Sequence, residues 1–335
     1  MEISYKSAGV DIDKADAIKE NIKKIASGTL KSIVIHGVGP FAAVAKLPAG
    51  FIVATCDGVG TKIAIAQEFN RIEGLGYDLV AMNVNDILAM HGKPLLFLDY
   101  IGVPNLETIN IEKLISSIAS ACIEADCSLV GGETAQMPGF YEKNRFELVG
   151  FCIGIVKKLP QKNKISEGDV ILAFPSNGPH SNGYSLIRKL IEEKLINPED
   201  RLKRDKLIDV ILRPTRIYVN DFFEIVKEFG YPKASANITG GGIPGNLSRI
   251  IPEKMTAAID KKSLEYLSEN FADGIFSHIS RFVPEKEMIK VFNMGAGFVM
   301  IYPKKKAQII LEKMKGKVFK IGSIEKWREE KVVIE

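Results

Sequence analysis

Apolar residues gather in short, β-branched runs that break at acidic or glycine-flanked corners, and these runs alternate with longer stretches of helical spacing. Residues 51–55 (FIVAT) stop at Cys56-Asp57-Gly58 and continue as Val59-Gly60-Thr61-Lys62, which predicts a buried strand delivering a carboxylate to its end. Residues 94–100 (PLLFLDY) and 127–134 (CSLVGGET) repeat the theme, with Asp99 near the end of one run and Glu133 near the end of the other. Between the first two runs, residues 76–92 read as a helix bounded by glycines. Val80, Val84, Ile87, Leu88 and His91 form one stripe of it, and Met82, Asp86 and Met90 another. Ile111, Leu114, Ile115, Ile118 and Cys122 mark a further amphipathic helix, residues 146–156 a strand, and the lysine-rich residues 11–30 a surface helix.

The second half repeats the alternation. The polar residues 157–169 (KKLPQKNKISEGD) place a domain boundary, giving a first domain over 1–160 and a second over 165–335. A strand at 170–174 enters the loop 175–183 and a helix whose apolar face is Leu186, Ile187 and Leu190. A strand at 234–239 runs into Gly240-Gly241-Gly242, with Pro244 where a helix begins, and a turn at 293–297 precedes a strand at 298–302. The expected class is α/β, in two domains.

Composition narrows the partners. A net charge of +4 over 335 residues, with basic and acidic side chains interleaved, argues against nucleic acid. No apolar run approaches the ~18 residues of a membrane span, and the N-terminal residues lack the hydrophobic core of a signal peptide. Cys56, Cys122, Cys127 and Cys152 show no CxxC spacing, so reduced thiols without zinc are expected, in a cytoplasmic protein.

The candidate chemistry follows from the acidic corners. Asp57, Gly58, Gly60, Thr61 and Lys62 combine a carboxylate, open backbone N–H groups, a hydroxyl and an ammonium, a set suited to a Mg²⁺-bound polyphosphate. The order GxxxxGK[ST] of a P-loop is absent, and a plain hairpin turn is the competing reading of Asp-Gly. Asp86 lies on an apolar helix and so needs either a hydrogen-bonded place in the core or a cation. Three apolar strands expected to end at Asp57, Asp99 and Glu133 suggest carboxylates converging on a metal, and Asp86 with Asp57 suits one Mg²⁺, so Asp57, Asp86 and Glu133 are the expected metal ligands, with Asp99, Gly131 and Gly132 in the cofactor-binding set. His36-Gly37-Val38-Gly39 suits either a turn or a flap over phosphates. In the second half, His180, Ser181 and Asn182 at a helix start, and Thr239, Gly240 and Gly241 in a glycine-rich turn, suit an anion.

At these residues a family resemblance enters. Tyr5-Lys6-Ser7-Ala8-Gly9-Val10-Asp11-Ile12, the loop 57–62, Asn83-Val84-Asn85-Asp86, residues 97–100, Gly131-Gly132-Glu133-Thr134-Ala135 and, above all, residues 178–185 (GPHSNGYS) resemble the aminoimidazole ribonucleotide synthetases. The resemblance runs from about residue 5 to residue 324 and implies a first domain with a half-barrel β-sheet and helices, and a second α/β domain. It implies ATP-dependent closure of formylglycinamidine ribonucleotide to aminoimidazole ribonucleotide, a C–N ligase step of purine synthesis, in a homodimer. Its cofactors would be ATP and Mg²⁺, with K⁺ a further candidate. It implies Asp86, Lys62 and His180 as catalytic residues, and a substrate site of His180, Ser181, Asn182, Asn237, Thr239, Gly240 and Gly241. Another ATP-dependent member of the superfamily, or a non-catalytic nucleotide-binding subunit, is the alternative. Three positions depart from the pattern. Ser7 stands where the family usually has Asp, Gly39-Pro40-Phe41-Ala42 where it has Gly-Gly-Phe-Gly, and Asn237 where it has His. An Asn cannot serve as an acid or base near neutrality.

Overall fold

The computed structural model describes residues 3–142 and 144–335; Met1 and Glu2 of the expected first domain, and Lys143, lie outside them. The first half runs α1 (Ile12–Ser27), β1 (Val34–His36), β2 (Ala43–Leu47), β3 (Gly50–Gly58), α2 (Lys62–Glu68), α3 (Leu75–Ala89), β4 (Gly92–Val103), α4 (Ile111–Glu124), β5 (Ser128–Gln136) and β6 (Glu147–Val156). Its six strands form one sheet in the order β1-β2-β3-β6-β4-β5. All neighbours pair antiparallel except β4 and β5, whose parallel pairing is bridged by α4 as a crossover.

Side-chain alternation gives this sheet two different faces. Val53, Phe97, Ile101 and Cys152 are buried beneath α3 and α4, whereas Leu96, Val130, Phe151 and Ile155 are exposed on the other side. That bare apolar face is what a half-barrel leaves open. Caps explain where several helices begin: Asp11 accepts from the Lys14 N–H at α1, and Asn110 from the Lys113 N–H at α4. α3 is buried along almost its whole length rather than on a single stripe, and it stops before the expected 92 because His91 turns left-handed, at φ 63°.

The second half runs β7 (Val170–Pro175), α5 (Tyr184–Glu192), α6 (Leu207–Ile211), α7 (Val219–Phe229), β8 (Ala234–Asn237), α8 (Gly242–Leu247), β9 (Met255–Ile259), α9 (Lys261–Phe271), α10 (Ile275–Ile279), α11 (Glu285–Val291), β10 (Ala296–Tyr302), α12 (Lys304–Lys313), β11 (Phe319–Lys326) and β12 (Val332–Ile334). Its sheet, β12-β9-β11-β7-β10-β8, is covered on both faces, so that every residue of β7 and β10 is buried. This is why both strands read as unbroken apolar runs. The two halves meet along α3, which packs on β3, β6 and β4 of its own sheet and on β8 of the other. No helix among the described residues is long and apolar enough to cross a membrane.

Candidate active site at the seam of the two domains

Among the described residues, no Lys or Arg stands in contact with either of two carboxylates at the seam, Asp57 and Asp86. Asp57 ends β3, where its Oδ1 accepts from the N–H of Gly58 at 2.8 Å. Asp86, near the end of α3, accepts from Asn237 Nδ2 across the seam at 2.8 Å. Burial pushes Asp57 above the usual carboxylate range, against the pull of the Gly58 N–H. Asp86 is pushed up to about 7, first by burial and then by the Asp57 charge, while the Asn237 hydrogen bond and the Arg249 charge oppose the rise. Two half-buried, mutually repelling acids would be stabilised by a divalent cation, so this pair fits Mg²⁺. Asp57, Gly58, Gly60 and Thr61 also line an open cleft of 520 Å³, shared with Tyr141, Arg145 and Glu147.

Strand parity keeps Glu133 out of this pair. Across the sheet, Asp57 pairs with Gly150, Gly150 with Asp99, and Asp99 with Gly132, so these positions share the α3 face. Glu133 is the next residue along β5 and therefore points to the opposite, exposed face. Among the described residues no three His, Cys, Asp or Glu side chains gather to hold a metal, so the expected triad is not assembled within one chain. Asp99 is buried against Gly132, where a Cβ would come within 2.6 Å of its carboxylate, and burial raises it too. Roughly 10 Å of sheet, two strand spacings, separates the Asp99 and Asp57 backbones, so Asp99, Gly131 and Gly132 lie beside the pair rather than in it.

Lys62 is also placed elsewhere. It is 0 % exposed, and its Nζ bonds Asp78 Oδ1 at 2.8 Å, the His180 carbonyl at 3.0 Å and the Arg213 carbonyl at 2.6 Å. An ammonium has three donors, and all three are used, leaving none for a phosphate. Asp78 Oδ1 accepts in addition from Ser181 Oγ and from the N–H and hydroxyl of Thr215. The lysine that looked like a phosphate ligand is thus a tie between the domains. Nothing in the pattern of residues 76–92 had marked Asp78 as its partner.

His180 and Ser181 belong to the same tie. The His180 ring is buried against Tyr218, with Nε2 3.4 Å from the Tyr218 hydroxyl, and burial drives it down to about 3, which keeps it neutral. At 3 % exposed, the ring is packed within the tie rather than open to the cleft that Asp57 lines. Asn182 stays partly accessible and faces the glycine turn, its Oδ1 3.6 Å from where a Gly240 Cβ would sit. Gly242 has a packing reason of its own: at φ 59°, a Cβ there would come within 1.9 Å of the Ile289 carbonyl. Asn246 fastens the turn by donating to the carbonyls of Thr239, Gly240 and Gly242. Thr61 meets Ser185 across the seam at 3.2 Å.

Residues 39–156 match the AIR synthase related protein, N-terminal domain, and residues 166–335 match the AIR synthase related protein, C-terminal domain. The chain belongs to the AIR synthase-related family. Among solved structures, a thiamine monophosphate kinase from Aquifex aeolicus is 18 % identical, with 97 % of this chain and 98 % of that one covered and a TM-score of 0.60. The hydrogenase maturation protein HypE in complex with ATP is 18 % identical, at 92 % and 85 % coverage and a TM-score of 0.57. A phosphoribosylformylglycinamidine synthase II from Thermotoga maritima is 17 % identical, at 88 % and 43 % coverage and a TM-score of 0.57. At these identities the likeness is one of fold, and it makes this AIR synthase-related chain a mixed α/β protein with a half-barrel sheet.

Within that frame the departures have structural readings. Ser7 closes a turn with Ser4, whose carbonyl accepts from the Ser7 hydroxyl at 2.8 Å, and Lys189 and Glu287 of the second half hold the opening segment by its backbone. Phe41 of the altered 39–42 loop is buried, and the Arg249 guanidinium lies 5.0 Å over its ring. Asn237 keeps the hydrogen bond to Asp86 but cannot titrate. Asn83, beside them, donates to the Asp57 and Leu79 carbonyls and leaves its buried Oδ1 without a partner.

Proposed function

We propose that the protein is an ATP-dependent cyclo-ligase that closes formylglycinamidine ribonucleotide to aminoimidazole ribonucleotide. The observation that carries this reading is the segment 178–185 (GPHSNGYS), the most specific of the family signatures, which lies at the same seam as Asp86. The neighbours support a nucleotide, since HypE is solved with ATP, and the synthase neighbour carries the ring-closing substrate in its name.

The chemical problem is a poor leaving group. An amide oxygen does not depart when a nitrogen attacks its carbon, but a phosphate does. The γ-phosphoryl group of ATP moves to the formamide oxygen and ADP leaves. The substrate nitrogen then attacks that carbon, the C–O bond breaks, and inorganic phosphate departs with ring closure. Such transfers depend chiefly on positioning and charge neutralisation. Asp57 and Asp86 would hold the Mg²⁺, which when bound neutralises phosphate charge. Asn237 orients Asp86, the open turn at Gly60 and Thr61 faces the cleft, and Asn182 with the Thr239–Gly241 turn would seat the substrate phosphate. We place the homodimer contact on the bare sheet face of Leu96, Val130, Phe151 and Ile155, an apolar patch of the kind that marks interfaces.

A second reading, transfer of phosphate without ring closure, is favoured by the full-length likeness to thiamine monophosphate kinase. A coupled assay with formylglycinamidine ribonucleotide, MgATP and K⁺ separates the two. Ring closure gives ADP and aminoimidazole ribonucleotide in equal amounts. ADP without imidazole product would replace this reading by the second.

A further inference from the structure

The seam holds a cation that the motifs do not mark. With Lys62 closed off, a nucleotide's phosphates need another positive group near Asp57 and Asp86. Arg249 follows the short helix α8, directly downstream of the glycine turn, and it is exposed. Its guanidinium stacks 5.0 Å over the ring of Phe41, and Phe41 is fixed in the core of the first domain, its carbonyl accepting from Thr55 Oγ1. Thr55 is two residues before Asp57 on the same strand, so the stack stands over the end of β3. Among the described residues no carboxylate lies within ion-pairing distance of Arg249, although its charge is felt at Asp86. By contrast Arg145, which lines the cleft, faces Glu142 at 3.8 Å.

We infer that Arg249 is the phosphate clamp of the nucleotide site, held ready by its stack on Phe41. Stacking fixes the guanidinium plane while leaving its edge N–H groups free, the geometry that grips two phosphate oxygens at once. Because Arg249 comes from the second half and Phe41 from the first, a bound polyphosphate would bridge the halves. The position of Phe41 in the altered 39–42 loop then has a purpose, since the ring supplies the platform. The assignment rests on the nucleotide reading above.

The test is calorimetric titration of MgADP and of adenosine into the full chain, comparing wild type with Arg249→Met and Arg249→Lys. A clamp on phosphate predicts that Arg249→Met weakens MgADP by ~10–100-fold, the worth of a charge-assisted pair, while adenosine changes less than threefold. Arg249→Lys should recover part of the loss, because it restores the charge without the fork. Equal MgADP binding by wild type and Arg249→Met would overturn the assignment, as would an equal loss for adenosine, which would mark a merely structural stack. A wild type that binds no MgADP at all would instead sink the nucleotide reading itself.

Discussion

Asp78 and Asp86 stand two helical turns apart on α3, and each takes a hydrogen bond from the second half of the chain. Yet their surroundings differ. Asp78 has Lys62 in contact at 2.8 Å and hydroxyl and backbone donors besides, so its charge is met from within the protein. Asp86 has one amide and, as its nearest charged neighbours, the like charge of Asp57 and the unpaired guanidinium of Arg249. Two carboxylates on one helix thus divide into one whose charge is paired within the protein, though its Oδ2 has no partner, and one whose charge is not. A half-buried charge left unpaired costs stability, which is the ground for proposing Asp86 as a cation ligand. The comparison teaches that a lysine beside a glycine loop is judged by its partners rather than by its neighbours in sequence.

The strongest way to break the comparison is to remove the satisfied partner. Lys62→Met leaves Asp78 buried without its cation and should destabilise the fold by ~3–5 kcal/mol, read as a lowered urea midpoint. Lys62→Met with Asp78→Leu removes both charges and should regain a large part of that loss. If Lys62→Met unfolds no sooner than wild type, the lysine is not the tie described, and its role on phosphate returns.

The unsatisfied member should respond in the opposite sense. Asp86→Asn is expected to keep the fold and lose roughly 100-fold or more in turnover, about 2.7 kcal/mol of transition-state stabilisation. Its effect on stability is fixed by sign. A carboxyl held at about 7 favours the protonated form in the folded state, so its contribution is fully present below pH ~4 and is lost as pH rises through about 7. Asp86→Asn should therefore melt higher than wild type at pH 8, by a few degrees, and nearly the same at pH 4. Added Mg²⁺ should raise the melting temperature of wild type at pH 8 and leave the variant unmoved. A variant that still gains stability from Mg²⁺ would show that the cation binds elsewhere.

How much of this was legible beforehand depends on the distance over which a signal acts. The strand reaching Asp57 and the helix carrying Asp86 are readable, because periodicity and corner residues are local, whereas Asp99 and Glu133, expected at strand ends, lie inside β4 and β5, which run on to Val103 and Gln136. The family signature likewise reached the right superfamily, since it is a string of adjacent residues. Within one chain Glu133 stands apart from Asp57 for a reason that is in the sequence. Gly132, not Glu133, shares a sheet row with Asp57, and one residue of offset turns a side chain to the other face. Lys62 was misjudged for a reason that was not. Its acceptors are Asp78 nearby and carbonyls at 180 and 213, and no local pattern records a contact across 118 or 151 residues. Arg249 escaped for the same reason, because its platform lies in the first half of the chain.

The smallest effect sharpens the comparison most, because it changes only how Asp86 is held. Asn237 Nδ2 donates to Asp86 Oδ1, and that bond favours the charged carboxylate. Asn237→Ala removes the donor, so Asp86 should take its proton more readily and compete less well for Mg²⁺ near neutrality. The expected loss in apparent Mg²⁺ affinity at pH 7 is about 3–10-fold, or ~1 kcal/mol, the net worth of one hydrogen bond to a charged group. At pH 9 both proteins carry Asp86 ionised, and the difference should shrink to the part that comes from orientation alone. Asn237→His, the residue the family usually places here, can donate from a ring nitrogen and should fall between wild type and Ala. An Asn237→Ala deficit that is the same at pH 7 and pH 9 would mean that Asn237 acts by geometry only, and the unsatisfied charge of Asp86 would then owe nothing to its single hydrogen-bond donor.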